Sequence, residues 1–156
     1  MSVVCLRTVF SVFLAILAMG SFAQQAELDS LKNSLKLRQP DTSLINTLNE
    51  LGFLSLGDDP LQAEKYLTEA LDKSVKAKFP KGEANAYVSL AIIASIHSDY
   101  KKAHDYYKRA IAIRSRLGDR KGVANIYNNI GNLHDEQGDF FNAVENFKQA
   151  LEIYQS

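Results

Sequence analysis

Six alanines set the frame of this chain. Ala143 and Ala150 lie seven residues apart near the C-terminus; a step back of 40 residues meets Ala103 and Ala110, and a second meets Ala63 and Ala70. Other positions keep the same step: Tyr127 falls on Tyr87, Phe147 on Tyr107 and then Leu67, and Gly122 on Gly82. A chain repeated this way folds as an array of like units, each too small to bury its apolar face alone. No stretch alternates with a period of two, and no run is of low complexity, so the units are helical and the fold class is all-α.

The last unit, Ala124 to Tyr154, shows how two helices fit together. Antiparallel helices approach closely only where one side chain at the crossing is small. Gly131 and Ala143 supply those positions, and Tyr127, Ile130, Phe147 and Leu151 are expected to fill the space around them. Gly138 suits a left-handed helix end and Asp139 the cap of the next helix. A large aromatic, then an apolar residue and Gly131, then Ala143, Phe147 and Ala150 at these offsets resemble the tetratricopeptide repeat. The resemblance covers about 44–156. It implies a right-handed superhelical solenoid of antiparallel helix pairs, with three repeats near 44–79, 84–117 and 124–156.

Departures from the family's pattern are as informative. Its period is about 34 residues, and here it is 40. The added residues, as in Ser115 to Gly122, are expected between repeats, where they lengthen both helices. The family's proline after the second helix is replaced by Val75, Ser115 and Gln155. The first copy matches least well, with Leu48 and Ser55 at the aromatic positions and a turn, Gly57 to Pro60, that reads one residue longer. Long-period arrays of this kind resemble those of bacterial signalling proteins.

The chain holds 156 residues, enough for one domain, with 18 basic and 18 acidic side chains. A net charge of zero leaves no electrostatic footprint for nucleic acid or an anionic membrane. Residues 1–23 read as a secretory signal peptide: Arg7 is the one charge, Thr8 to Met19 is a short apolar run, and Ser21-Phe22-Ala23 offers small residues for cleavage. An uncleaved anchor is the rival, although the run is shorter than the roughly 20 apolar residues a membrane span needs; only in that case does the chain touch a membrane. The expected location is periplasmic or otherwise extracytoplasmic. Cys5, the single cysteine, precedes the apolar run, so the processed chain has no thiol for a disulfide, a metal or catalysis.

Residues 24–40 follow as an N-terminal capping helix, with Leu28, Leu31 and Leu35 on one face, and residues 41–156 form the repeat domain. Helices are expected at Ser43 to Leu56, Pro60 to Ala77, up to His97, Tyr100 to Leu117, and on through the third copy. The last helix carries Ala150, Leu151 and Tyr154 with no polar cap after it. More repeats, a partner or second copy, or a frayed end would each account for that face.

Signals for chemistry are few. His97, His104 and His134 lack a ligand spacing such as H-E-x-x-H, and His134 stands at an aromatic position where packing accounts for it. No phosphate loop, nucleophile elbow or cofactor fingerprint is present, so no cofactor, metal site or catalytic residue is expected.

Asparagine is the exception. The resemblance implies that the second, fifth, sixth and ninth repeat positions line the concave groove. In this chain these are Asn46, Asn85 and Asn125; Asn49, Val88 and Asn128; Glu50, Ser89 and Asn129; and Phe53, Ile92 and Asn132. Asparagine is a poor helix former, but its amide both donates and accepts, as an extended peptide requires. One reading is a ladder of amides holding a bound peptide by its main chain, with Val88, Ile92 and Phe53 as apolar pockets; the other is an ordinary solvated face. The family's clamp for a C-terminal carboxylate is not expected, because its basic partners are missing from these positions. Phe140 matches Tyr100 as a structural aromatic, and Phe141 is a second candidate contact.

Three functions follow in order. The first is an exported, non-catalytic adaptor binding a protein or peptide. The second is the extracytoplasmic sensor region of a bacterial signalling receptor, of the sensor histidine kinase type, whose output module is not in this sequence. An enzyme comes last, with no residue to support it.

Overall fold

The structure, a computed structural model, describes residues 23–35 and 41–155. It falls into two compact units, Met1–Arg38 and Gln39–Ser156. The signal-peptide reading covers residues 1–23, of which all but Ala23 lie outside the described residues, as does the break at Arg38 to Pro40. In the first unit, helix α1 (23–34) keeps Leu28, Leu31 and Leu35 on its less exposed side. Among the described residues no helix is long and apolar enough to cross a membrane.

The second unit is a run of six helices: α2 (Asp41–Leu54), α3 (Pro60–Lys76), α4 (Pro80–Ile96), α5 (Tyr100–Arg116), α6 (Arg120–Glu136) and α7 (Phe140–Gln155). From α3 onward each begins 20 residues after the last, and each link from 77–79 to 137–139 holds three residues. The 40-residue period is thus two 20-residue steps. The added residues lengthen both helices: Ser115 and Arg116 finish α5, Arg120 to Gly122 open α6, and links between repeats are as short as those within them.

The same local chemistry closes the links. Asp59, Asp99 and Asp119 cap α3, α5 and α6 by accepting the N–H of Gln62, Lys102 and Gly122 at 3.0, 3.1 and 2.9 Å. Asp139 does the same for α7 through Asn142. The α4 start has no side-chain cap, but Pro80 in its first turn lacks an N–H to satisfy. From α4 onward the residue before each capping position is left-handed: Lys78 (φ 51°), Ser98 (φ 58°), Gly118 (φ 68°) and Gly138 (φ 73°). Two of these four carry a side chain in a conformation that favours glycine.

The first pair is set differently. Its link, 55–59, has five residues against three elsewhere, where the sequence suggested one extra. Yet Gly52 stands 11 residues before Ala63, while Gly131 stands 12 before Ala143, so the turn grows at the expense of α2. The crossings themselves are tight. A Cβ on Gly131 would lie 2.5 Å from the Phe147 ring, and one on Gly52 would collide with Leu67. In the middle pair Ala91 and Ala103 are fully buried beside Tyr107.

From α2 to α7 each helix packs on the next, and α2 also touches α4. The largest core joins Tyr87, Ala91, Tyr107, Ile113, Ile126, Ile130 and Leu133, drawn from α4, α5 and α6. Two expected core residues on α7 are not in it: Leu151 is 53% and Phe140 67% exposed. Their counterparts on α5, Ile111 and Tyr100, pack against that core. The physical difference is α6, which lies against α5; no described helix follows α7.

Candidate functional site

Helices α2, α4 and α6 are the first of each pair and carry the asparagines. Between α2 and α4 lies an open pocket of about 380 Å³ lined by Asn46, Asn49, Glu50, Phe53, Asn85, Val88, Ser89 and Arg114. It gathers seven of the twelve expected groove positions, including Asn46, Asn49, Asn85 and Val88, and adds Arg114. Ile92, Asn125, Asn128, Asn129 and Asn132 do not line it.

The asparagines turn out to have different jobs. Asn49 is only 7% exposed. Its Nδ2 donates to the Ile45 carbonyl at 3.2 Å and to the Gly82 carbonyl at 3.1 Å, fastening α2 to the first turn of α4. Its Oδ1 is buried and accepts from no described residue. Asn85 Oδ1 accepts from Arg114 Nη2 at 2.8 Å. Asn125 Oδ1 accepts from the Tyr154 hydroxyl. Both bonds span 29 residues. In the second and third repeats, then, the second-position asparagine ties the start of one helix to the end of the next. Asn46 has no such bond; the residue at the matching place on α3 is Ser74, whose buried Oγ is unpartnered. Asn46, Asn128 and Asn132 are exposed and Asn129 half-buried, with no hydrogen bond to any described residue. These four amides keep their donors and acceptors unused among the described residues.

Arg114 was missed by the reading of groove positions because it comes from α5, a second helix. The 29-residue spacing it shares with Tyr154 and Asn125 was the available signal. Its Nη1 pairs with Asp119 Oδ2 at 2.5 Å and its Nη2 is taken by Asn85, while Nε is buried without a partner. The backbone N–H of Gly122 does most to hold the Asp119 carboxyl below its usual range; burial opposes it, and the hydrogen bond and charge of Arg114 lower it further. Gly122 leaves the room for this pair, since a Cβ there would meet both side chains.

A second cluster lies where α5 meets α6. The His104 and His134 rings are 5.0 Å apart, and His134 Nδ1 is 3.3 Å from Asp139 Oδ2. Burial, and then the neighbouring His134, push the His104 pKa down. Among the described residues no three His, Cys, Asp or Glu side chains come together as a metal site. At α7, Phe140, Phe141, Val144, Leu151 and Tyr154 are all about half exposed or more.

Comparison with known proteins agrees with the architecture. A family model described as tetratricopeptide repeat matches residues 43–116 and 110–156. The Protein CTR9 homolog of Arabidopsis thaliana is 32% identical over 133 residues, 81% of this chain but 11% of that protein. The chain therefore spans about a tenth of that relative's length. Among solved structures, the TPR domain of Arabidopsis FLU superposes with a TM-score of 0.65 at 21% identity, over 74% of this chain and 98% of that one. BtubC from P. vanneervenii gives 0.63 at 21% identity, over 85% and 55%. At such identities the two structures speak for the fold.

Proposed function

Because the chain belongs to the tetratricopeptide repeat family, we propose that it is a non-catalytic scaffold whose groove takes an extended segment of a partner protein. One observation carries this reading. The pocket between α2 and α4 exposes the Asn46 amide, which bonds to no described residue, and the Phe53 ring. The amide both donates and accepts, so a main-chain segment laid across the pocket pairs with it. Asn128, Asn129 and Asn132 continue the row of open amides on α6.

The test is capture from a cell-envelope extract on the full chain, beside a variant with Asn46, Asn128 and Asn132 changed to Ala. A partner held by the first and lost by the second supports the groove; one held equally by both refutes it. Circular dichroism should show the same helix content in the variant, since none of the three side chains is buried or bonded.

We also propose export, on the strength of Arg7, the apolar run Thr8 to Met19 and the small residues before Gln24. Cell fractionation with N-terminal sequencing checks it; a cytoplasmic product beginning at Met1 or Ser2 refutes it. The uncovered apolar face of α7 favours a second reading, the extracytoplasmic sensor region of a bacterial signalling receptor, in which α7 meets further repeats or a second copy. A reading frame that continues into a membrane span and a kinase decides for it.

A further inference from the structure

Resting on the groove reading above, we propose that the pocket between α2 and α4 selects a basic side chain of the bound segment, a lysine or arginine beside an apolar residue, and rejects an acidic one. The charges lining it decide the sign. Arg114 is the one cation among the lining residues, and it is already paired: Nη1 is bonded to Asp119 and Nη2 to Asn85. The Asp119 carboxylate offsets its charge. Glu50 is exposed and makes no ion pair with any described residue. An acidic ligand therefore meets an open carboxylate, and the one cation beside it is already neutralised by Asp119.

The apolar surface points the same way. Phe53 follows Glu50 by three residues on α2, which places them side by side on the helix surface. Phe53 is 58% exposed. A long basic side chain lays its methylenes over such a ring and carries its charge to the neighbouring carboxylate. The open carboxylate asks for a donor, and a basic residue supplies one. The half-buried Val88 leaves an apolar wall for the adjacent side chain.

The test selects a phage-displayed library of random 12-residue peptides on the full chain, then measures synthetic copies of the winners by fluorescence anisotropy. The expected winners share a Lys or Arg next to an apolar residue. Replacing that residue by Gln, or changing Glu50→Gln, should each weaken binding about fivefold, as an exposed ion pair with a ring contact does. The two losses should not add, because they remove the same contact. Winners that weaken on Phe53→Ala but carry no shared basic residue, and ignore Glu50→Gln, overturn the inference and leave the groove reading standing. Winners indifferent to Phe53→Ala, or no winners at all, overturn the groove reading and this inference with it. Glu50 and Phe53 are both exposed, so neither change threatens the fold.

Discussion

The four left-handed link residues invite an exchange. Gly118 and Gly138 occupy the conformation freely, while Lys78 at φ 51° and Ser98 at φ 58° hold a side chain in it. A left-handed residue with a Cβ costs roughly 1–2 kcal/mol. Glycine removes that strain but returns about 0.4–1 kcal/mol through a freer unfolded chain. The balance is a gain of about 0.5–1 kcal/mol at each site. Lys78 and Ser98 lie at opposite ends of α4, a 17-residue helix about 25 Å long, so their effects should add. Lys78→Gly with Ser98→Gly then stabilises by about 1–2 kcal/mol. With an unfolding entropy of roughly 2.1 cal/mol/K per residue, that is a rise in Tm of about 4–8 °C over the repeat unit. The assay is a thermal melt followed by circular dichroism at the helix band, with Gly118→Ser as the reverse exchange and an expected loss of similar size. If Gly118→Ser destabilises while Ser98→Gly gains nothing, the links are not equivalent, and the 20-residue step is coincidence at that point.

Further outcomes follow from the same coordinates. Gly131→Ala should destabilise by about 1–3 kcal/mol because its Cβ would sit 2.5 Å from the Phe147 ring; urea denaturation measures it, and a neutral result would mean that the half-buried ring simply moves aside. Ala143→Leu, 2% exposed at the same crossing, should cost at least as much by the same measurement. His104 has a lowered folded pKa, so the unfolded chain binds its proton first. Stability should fall as pH drops from about 6.5 toward the lowered value, and Tm compared at pH 7 and pH 5 should drop less for His104→Gln than for the wild type. Asp119 is the opposite case: its folded pKa is depressed, so its contribution is present above its ordinary value and is lost as pH falls through the folded one. Asp119→Asn should flatten that acid limb of the Tm profile and destabilise at neutral pH by unpairing Arg114.

Much of this architecture is legible in residue spacing, because a tight helix crossing has few solutions. Gly131, Ala143 and the alanine rows announce the pairs, and Gly138-Asp139 announces a link. What stays hidden depends on contacts across a hairpin or on a neighbour. Asn85 and Asn125 look like free groove amides until Arg114 and Tyr154 reach them from 29 residues away. Asn49 sits at a groove position yet spends its amide nitrogen holding Gly82, leaving one atom of the expected pair. Leu151 and Phe140 have the composition of core residues, but burial comes from the next helix, and α7 has none beside it among the described residues. Lys78 and Ser98 give no compositional sign of a left-handed turn; their register with Gly118 and Gly138 is the only clue.

The 20-residue step has a consequence at the level of the gene. Every full link carries a left-handed residue followed by a helix-starting one, so equivalent links are interchangeable cut points. Loss of codons 79–118 would join Lys78 to Asp119, restore a three-residue link with its capping aspartate, and bring α6 onto α3 in the place of α4. Loss of 99–118 would make an equally good link but set two first helices side by side, each presenting a face meant for a partner of the other kind. Recombination between repeats therefore passes in whole pairs and fails in halves. The number of groove positions offered to a ligand can change by duplication or loss of 40 codons, with no loop to redesign.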